Sequence, residues 1–203
     1  TIFNAGNEGA NMQLIFIPGG GAAMQSQAVF LSPMQTLTYR NALLDVFGMS
    51  SGTGAIAIEA TSAGSTPNLK VSSRTFTTGG GGTYGQAVPS VTSDALPAQQ
   101  VLTGMESDAD YRTNLGLVNR TGSPVNASLT LYTSDGRSLG SNFVTVAGNN
   151  FQQTSLASLW PVLNGGAYDR LTMTLTSSAA NALSAYASVV DNRTQDPVYI
   201  QAG

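Results

Sequence analysis

The amino-acid sequence predicts an all-β protein of two tandem β-sandwich units of the immunoglobulin-like type, each with a short capping helix. Three observations lead to this prediction. Stretches such as Tyr111 to Tyr132 alternate apolar and polar residues, a pattern that buries one face of a sheet and leaves the other in water. Asn, Gly and Pro separate these stretches at short intervals, as in Asn119 to Pro124. The 203-residue chain also carries the same pattern twice.

The repeat is visible when the chain is aligned with itself at an offset of 114–115 residues. Strands, hairpin turns and one helical segment then follow each other in the same order in both copies. Apolar positions also coincide, so the two copies are expected to bury the same strand faces. The aligned sets, first copy before second, are Met12, Leu14 and Phe16 with Ala127, Leu129 and Leu131, and Ile56, Ile58 and Ala60 with Leu171, Met173 and Leu175.

Each unit is predicted to contain strands with one short helix between them. In the first unit, residues 1–88, we expect strands near 11–17, 25–31, 54–60, 68–77 and 83–88. In the second, residues 89–203, we expect strands near 111–119, 125–133, 139–147, 168–176, 182–191 and 197–201. The segments 41–47 and 155–163 carry large apolar side chains and are predicted to be the capping helices. The run 88–97, bounded by Pro and Ser, marks the domain boundary.

The first unit is predicted to be incomplete at its N-terminal end. Thr1, Ile2, Phe3 and Asn4 align with residues 116–119, so the first copy has no equivalent of residues 98–115. A sandwich short of a strand exposes an apolar groove and backbone groups along an edge. We therefore expect Thr1 to Asn4 to mark an edge for strand exchange with another copy or an adjacent repeat. Two alternatives are a strand supplied from upstream in a longer protein and a return of residues 88–101 to the same edge.

The composition argues against most enzyme classes and against nucleic-acid binding. Histidine and cysteine are absent, which removes His-dependent triads, thiolate chemistry and disulfides. Eight basic and eleven acidic residues give a net charge of −3, and the basic residues are scattered singly. No apolar run approaches the roughly 20 residues that span a bilayer. The sequence thus predicts no catalytic site, no cofactor and no membrane span, and Thr1 in place of Met suggests processing or a fragment.

One loop groups several oxygen ligands and is a weak candidate for calcium. Asp191, Asn192 and Asp196 lie within six residues, and carboxylate and amide oxygens are the ligands that this ion prefers. The simpler alternative is a polar hairpin closed by Asx-turn hydrogen bonds, because the equivalent turn at 77–82 carries no carboxylate.

The second copy resembles repeats found in large secreted bacterial proteins of uncharacterised function. The resemblance implies extracellular, repeated β-sandwich modules and brings no catalytic residues. The favoured expectation is an extracellular structural or adhesive module of a cell-surface protein or filament, whose partners are its own copies or neighbouring repeats. The alternative is a module that binds surface glycans or another ligand through Tyr111, Tyr132 or Trp160. The segments that carry the resemblance are 111–119, 129–132, 135–136 and 184–194, with weaker matches at 73–76 and 83–86.

Overall fold

The protein is mostly β-strand, which confirms the all-β prediction. The structure is a computed structural model that describes residues 1–64, 66–79, 82–92 and 95–203. Two positions of the predicted boundary run and two of the glycine-rich turn after residue 77 lie outside these ranges. By Cα positions the chain forms two compact units, Thr1–Ser73 and Arg74–Gly203.

The predicted strands and helical segments occur in the predicted order, and the structure adds four strands that were not predicted, Ile2–Asn4, Thr36–Leu37, Gln99–Ser107 and Asn150–Ser155. In chain order, the first elements are β1 (Ile2–Asn4), β2 (Ala10–Pro18), β3 (Gln25–Leu31), β4 (Thr36–Leu37), α1 (Ala42–Phe47), β5 (Gly54–Thr61), β6 (Leu69–Gly79) and β7 (Gly82–Pro89). The remaining elements are β8 (Gln99–Ser107), β9 (Tyr111–Asn119), β10 (Val125–Tyr132), β11 (Ser138–Val146), β12 (Asn150–Ser155), α2 (Leu156–Leu159), β13 (Tyr168–Ser177), β14 (Leu183–Asp191) and β15 (Pro197–Gln201).

The compact units divide earlier in the chain than residue 88, where the sequence analysis places the domain boundary. Strand β6 crosses the division, and β7 belongs to the second unit. The reason is that β7 lies beside β15, and the Ser188 hydroxyl of the adjacent strand β14 donates to the Gln86 side chain of β7 at 3.2 Å. The limits of the two folding domains themselves stay a prediction.

The strand orders of the sheets repeat, with one difference. The order β4-β1-β6-β7 matches β12-β9-β14-β15, element for element. The order β3-β2-β5 matches β11-β10-β13, but that second sheet continues to a fourth strand, β8. The four sheets are antiparallel. Among the described residues of the first unit, β8 is thus the strand without a counterpart.

A buried asparagine marks the same corner in both units. Asn4 ends β1 and Asn119 ends β9, and both side chains are almost fully buried. In each case the amide nitrogen donates to three backbone carbonyl groups, which lie 4, 27 and 28 residues further along the chain. The amide oxygen accepts the N–H two residues on, at 3.0 Å from Gly6 and 2.9 Å from Thr121. In each copy, one polar side chain therefore connects the end of its strand, β1 or β9, to the hairpin that follows.

The register of β5 corrects the sequence alignment by two residues. Phe16 pairs with Ile56, and its counterpart Leu131 pairs with Met173, not with Leu171. The same shift aligns Ile58 with Leu175. The second copy is longer between helix and strand, where it inserts a 3-10 turn at Pro161–Leu163. A shift of two keeps every side chain on its face, so the predicted burial pattern survives the error.

Both helices are present and both contribute apolar side chains to the core of their own unit. Helix α1 begins after Asn41, whose side chain accepts the Leu44 N–H at 3.2 Å, and ends at Gly48 in the left-handed conformation. Its Phe47 ring packs against Phe16 at 5.8 Å between centroids. Helix α2 is shorter and buries Leu156 completely, and Trp160 follows it into the core.

Each unit has its own core, filled from two sheets. In the second unit the buried side chains of β8, β10, β11 and β13 and those of β9 and β14 form one cluster. In the first unit the corresponding cluster is small, because many of its apolar side chains are only partly buried. This difference in burial leads directly to the candidate site.

Candidate functional site

The candidate site is the outer side of β5, which we call the open edge. In the part of the chain that the structure describes, β5 has β2 as its neighbour in the sheet. Its counterpart β13 lies between β10 and β8. The open edge therefore occupies the position that β8 covers in the second unit.

The core-facing side chains of the open edge are partly exposed, whereas their counterparts in the second unit are buried. Ile56 is 43% exposed, whereas its counterpart Met173 is 0% exposed. Ile58 is half-buried, and its counterpart Leu175 is buried. Since both pairs occupy the same register and face, the missing neighbour accounts for the difference. An isoleucine left largely in water loses part of the ~2–3 kcal/mol that full burial would supply.

Strand β8 shows what covers this position in the second unit. Leu102 lies opposite Met173, and Met105 lies opposite Leu171; all four side chains are buried. Gly104 has φ +79°, and the pairing register shifts nearby. This irregularity lets Leu102 and Met105, three residues apart, both reach the core.

A polar anchor accompanies these apolar contacts. Gln100 is buried opposite Leu175, and its amide nitrogen donates to the Leu183 carbonyl at 2.7 Å and the Pro97 carbonyl at 3.2 Å. In the first unit, Leu69 is the counterpart of Leu183, because Leu69 pairs with Asn4 as Leu183 pairs with Asn119.

The exposed apolar surface beside the core is limited to the open edge on β5 and does not continue along the core-facing side of β6. Along β6, Leu69 and Val71 are partly buried against the core of the first unit. Further along, Ser73 is exposed, whereas its counterpart in β14, Ala187, is buried. The first unit thus has an exposed serine on β6 where the second unit has a buried alanine, and it keeps isoleucine at the open edge.

The residues predicted to form the exchange edge lie elsewhere. Ile2 pairs with Leu37 of β4 on one side and with Val71 of β6 on the other. Thr1 exchanges backbone hydrogen bonds with Ser72, at 3.0 and 3.1 Å. Ile2–Asn4 therefore form an interior strand, and the open edge is at β5. Strand exchange stays a prediction.

The oxygen-rich loop after β14 adopts the hydrogen-bonded hairpin that was the alternative to a calcium site. One carboxylate oxygen of Asp191 accepts the N–H groups of Arg193 at 2.7 Å and Thr194 at 3.0 Å. These backbone hydrogen bonds lower the pKa of Asp191, and the bond from Thr194 has the larger effect. The Asn192 side-chain oxygen accepts from the Arg112 guanidinium at 2.8 Å.

The third calcium candidate, Asp196, also has a hydrogen-bond donor, the backbone N–H of Gly85 at 3.2 Å. Within the described residues, no three His, Cys, Asp or Glu side chains are grouped to hold a metal ion. Calcium binding at this loop stays a prediction, with its oxygen atoms already engaged.

Of the three aromatic residues predicted for glycan stacking, one is inaccessible. Trp160 is 3% exposed, and its ring nitrogen donates to the Gly140 carbonyl at 3.1 Å. Its ring is therefore a core side chain. Tyr111 is exposed and Tyr132 is half-buried, and they lie on different sheets.

Sequence analysis missed a tyrosine pair on the sheet that contains β14 and β15. The rings of Tyr186 and Tyr199 stack at 4.9 Å between centroids, and the Tyr186 hydroxyl donates to the Gln153 side chain at 2.9 Å. Burial raises the pKa of Tyr199 to about 12, with a smaller contribution from Tyr186. A Cβ at Gly116 would meet the Tyr186 ring at 2.0 Å, so the strand glycine is required for the ring to lie across it. That glycine within a strand was the signal available in the sequence.

Comparison with known proteins adds no family to these observations. No protein-family model, no curated protein and no solved structure matches the chain. Within the described ranges, no helix is long and apolar enough to cross a membrane.

Proposed function

We propose that this protein is an extracellular structural module that joins copies or neighbouring repeats through the open edge of its first unit. The main support for the proposal is a contrast in burial: Ile56 is 43% exposed, whereas its counterpart Met173 in the second unit is completely buried. Among the described residues, the strand orders of the two units agree except that β8 has no counterpart in the first. Addition of a strand from a second chain would bury these side chains and supply main-chain hydrogen bonds.

We also infer that each unit is a β-sandwich of the immunoglobulin-like type. Support comes from the two antiparallel sheets of the second unit, which fill one core between them. In such a sandwich, a missing strand opens the core as well as the sheet edge, so the unit has reason to recruit one.

The extracellular location rests on composition and on the resemblance to secreted bacterial repeats. Charged residues make up 9% of the chain, and threonine, serine, glycine and asparagine are abundant. Head-to-tail strand donation need not close on itself, so it can extend into a filament. Adhesion to a surface would follow from display of such modules in series.

Light scattering after size-exclusion chromatography, with electron microscopy of the same fractions, tests the proposal. We expect species larger than one chain that resist dilution, and filaments at high concentration. The matched variant is Ile56→Asp, which places a charge on the open edge and should give single chains. The control variant Val162→Asp introduces the same charge at another exposed apolar residue, which lies in the second unit and outside the open edge, and should leave assembly unchanged. A dilution-resistant single chain for the parent protein would overturn the proposal.

A further inference from the structure

We propose that the open edge recognises a strand with the chemistry of β8: a glutamine, a leucine two positions later and a methionine after a bulged glycine. This inference rests on the proposed function, since it names the partner segment for the same edge. It goes further because it predicts the register and the residues of the incoming strand.

The register follows from the equivalence of the two units. Met173 faces Leu102 in the second unit, and Ile56 occupies the position of Met173. A leucine of the incoming strand therefore lies opposite Ile56. By the same equivalence, its glutamine lies opposite Ile58, as Gln100 lies opposite Leu175.

The polar contact provides specificity beyond apolar burial. In the second unit, Gln100 bridges from the edge strand to the carbonyl of Leu183 in the other sheet. Leu69 takes the place of Leu183 in the first unit. A strand without this glutamine would leave the Leu69 carbonyl without that donor and would be a weaker partner, and a carboxylate there would place two acceptors together and be weaker still.

The occupant is an extended strand and not a hairpin of two strands. A second incoming strand would lie along β6, as the first half of β9 lies along β14. On the core-facing side of this stretch, Ser73 is exposed where Ala187 is buried, so β6 presents a polar side chain to a second strand there. The added segment thus corresponds to β8 alone.

The experiment uses a labelled peptide of this chain's own residues 98–108 and the whole protein. Fluorescence anisotropy is measured on the lowest-mass fraction. Saturable binding is expected, and it should weaken at least tenfold for the peptide with Leu102→Asp, for the peptide with Gln100→Glu and for the protein variant Ile56→Asp. Because Ile56 is 43% exposed, a carboxylate at this position can reach water and the variant protein should keep its fold, which circular dichroism checks.

Two further readouts locate the peptide. The single tryptophan lies in the core of the second unit, so its emission should stay constant if the peptide binds the first unit and leaves β8 in place. Hydrogen exchange should slow along β5 and not along β13. No binding, equal binding of the Leu102→Asp peptide, or protection confined to β13 would each overturn the inference.

Peptide binding and self-assembly can fail separately. A parent protein that stays a single chain but binds the peptide supports the β8-type partner and rejects assembly between copies. A parent protein that assembles, but whose assemblies neither bind the peptide nor shrink when it is added, supports assembly and overturns the β8-type partner.

Discussion

The two units of this protein share a strand order, a helix and a buried asparagine, yet one core is closed and the other is open. In the second unit β8 covers β13, and the core-facing side chains of β13 are buried. In the first unit β5 is an edge strand, and Ile56 is 43% exposed. The comparison teaches that one strand decides whether the same apolar pattern becomes a buried core or a partly exposed edge.

The largest expected effect comes from a charge at matched positions of the two units. Met173→Asp places an unpaired carboxylate in the sealed core, which should cost several kcal/mol against a total stability of roughly 5–15 kcal/mol and unfold the second unit. Ile56→Asp should lower the stability of the first unit by less than about 1 kcal/mol, because the new carboxylate stays hydrated. Urea denaturation followed by Trp160 emission, for the second unit, and by hydrogen exchange of β2, for the first, measures both. Equal losses at the two positions would show that the open edge is not open.

Much of this comparison could be predicted from the sequence, because alternation and turn residues encode faces and hairpins locally. The succession of the repeated elements along the chain, the two helices and the absence of an equivalent of residues 98–115 before Asn4 all followed from it. The identity of the edge did not, since pairing partners are distant in sequence: Ile2 was expected at an edge but lies between Leu37 and Val71. The two-residue shift of β5 was missed because a shift of two leaves every residue on its face.

The buried asparagines, Asn4 and Asn119, should contribute equally to the stability of their two units. Asn119→Ala and Asn4→Ala each remove an amide that donates to three carbonyl groups, at a cost of about 3 kcal/mol. The same denaturation measurements apply. Asn126→Ala is the control, since that side chain is exposed, and it should change stability by under about 0.5 kcal/mol. A large loss at Asn119 with none at Asn4 would mean that the corner is not the same device in both copies.

The tyrosine pair gives the second unit a stability that depends on pH in the alkaline range. The pKa of Tyr199 is raised from 10.0 to about 12 by burial, so the folded state holds this proton more tightly than the unfolded state. Its contribution to stability is complete below pH 10 and is lost as pH rises toward 12. Ultraviolet titration should show tyrosines that ionise late, and Tyr199→Phe should remove the highest transition. A single transition near pH 10 for all tyrosines would contradict the burial of this pair.

The smallest effect is expected at the loop after β14. Arg193 pairs with Asp110 at 2.5 Å, but both side chains are more than half exposed. Arg193→Ala should therefore lower stability by under about 1 kcal/mol, and the loss should vanish in high salt. Thermal unfolding at low and high ionic strength is the measurement. A loss that persists in high salt would show that the contact is not mainly electrostatic.

Hydrogen exchange along β5 and β13, measured over a range of protein concentration, tests the open edge most directly. In the dilute protein we predict strong protection of β13 and weak protection of β5. As concentration rises and chains associate, β5 should gain protection while β13 stays unchanged. Equal and concentration-independent protection of the two strands would contradict an open edge in the first unit.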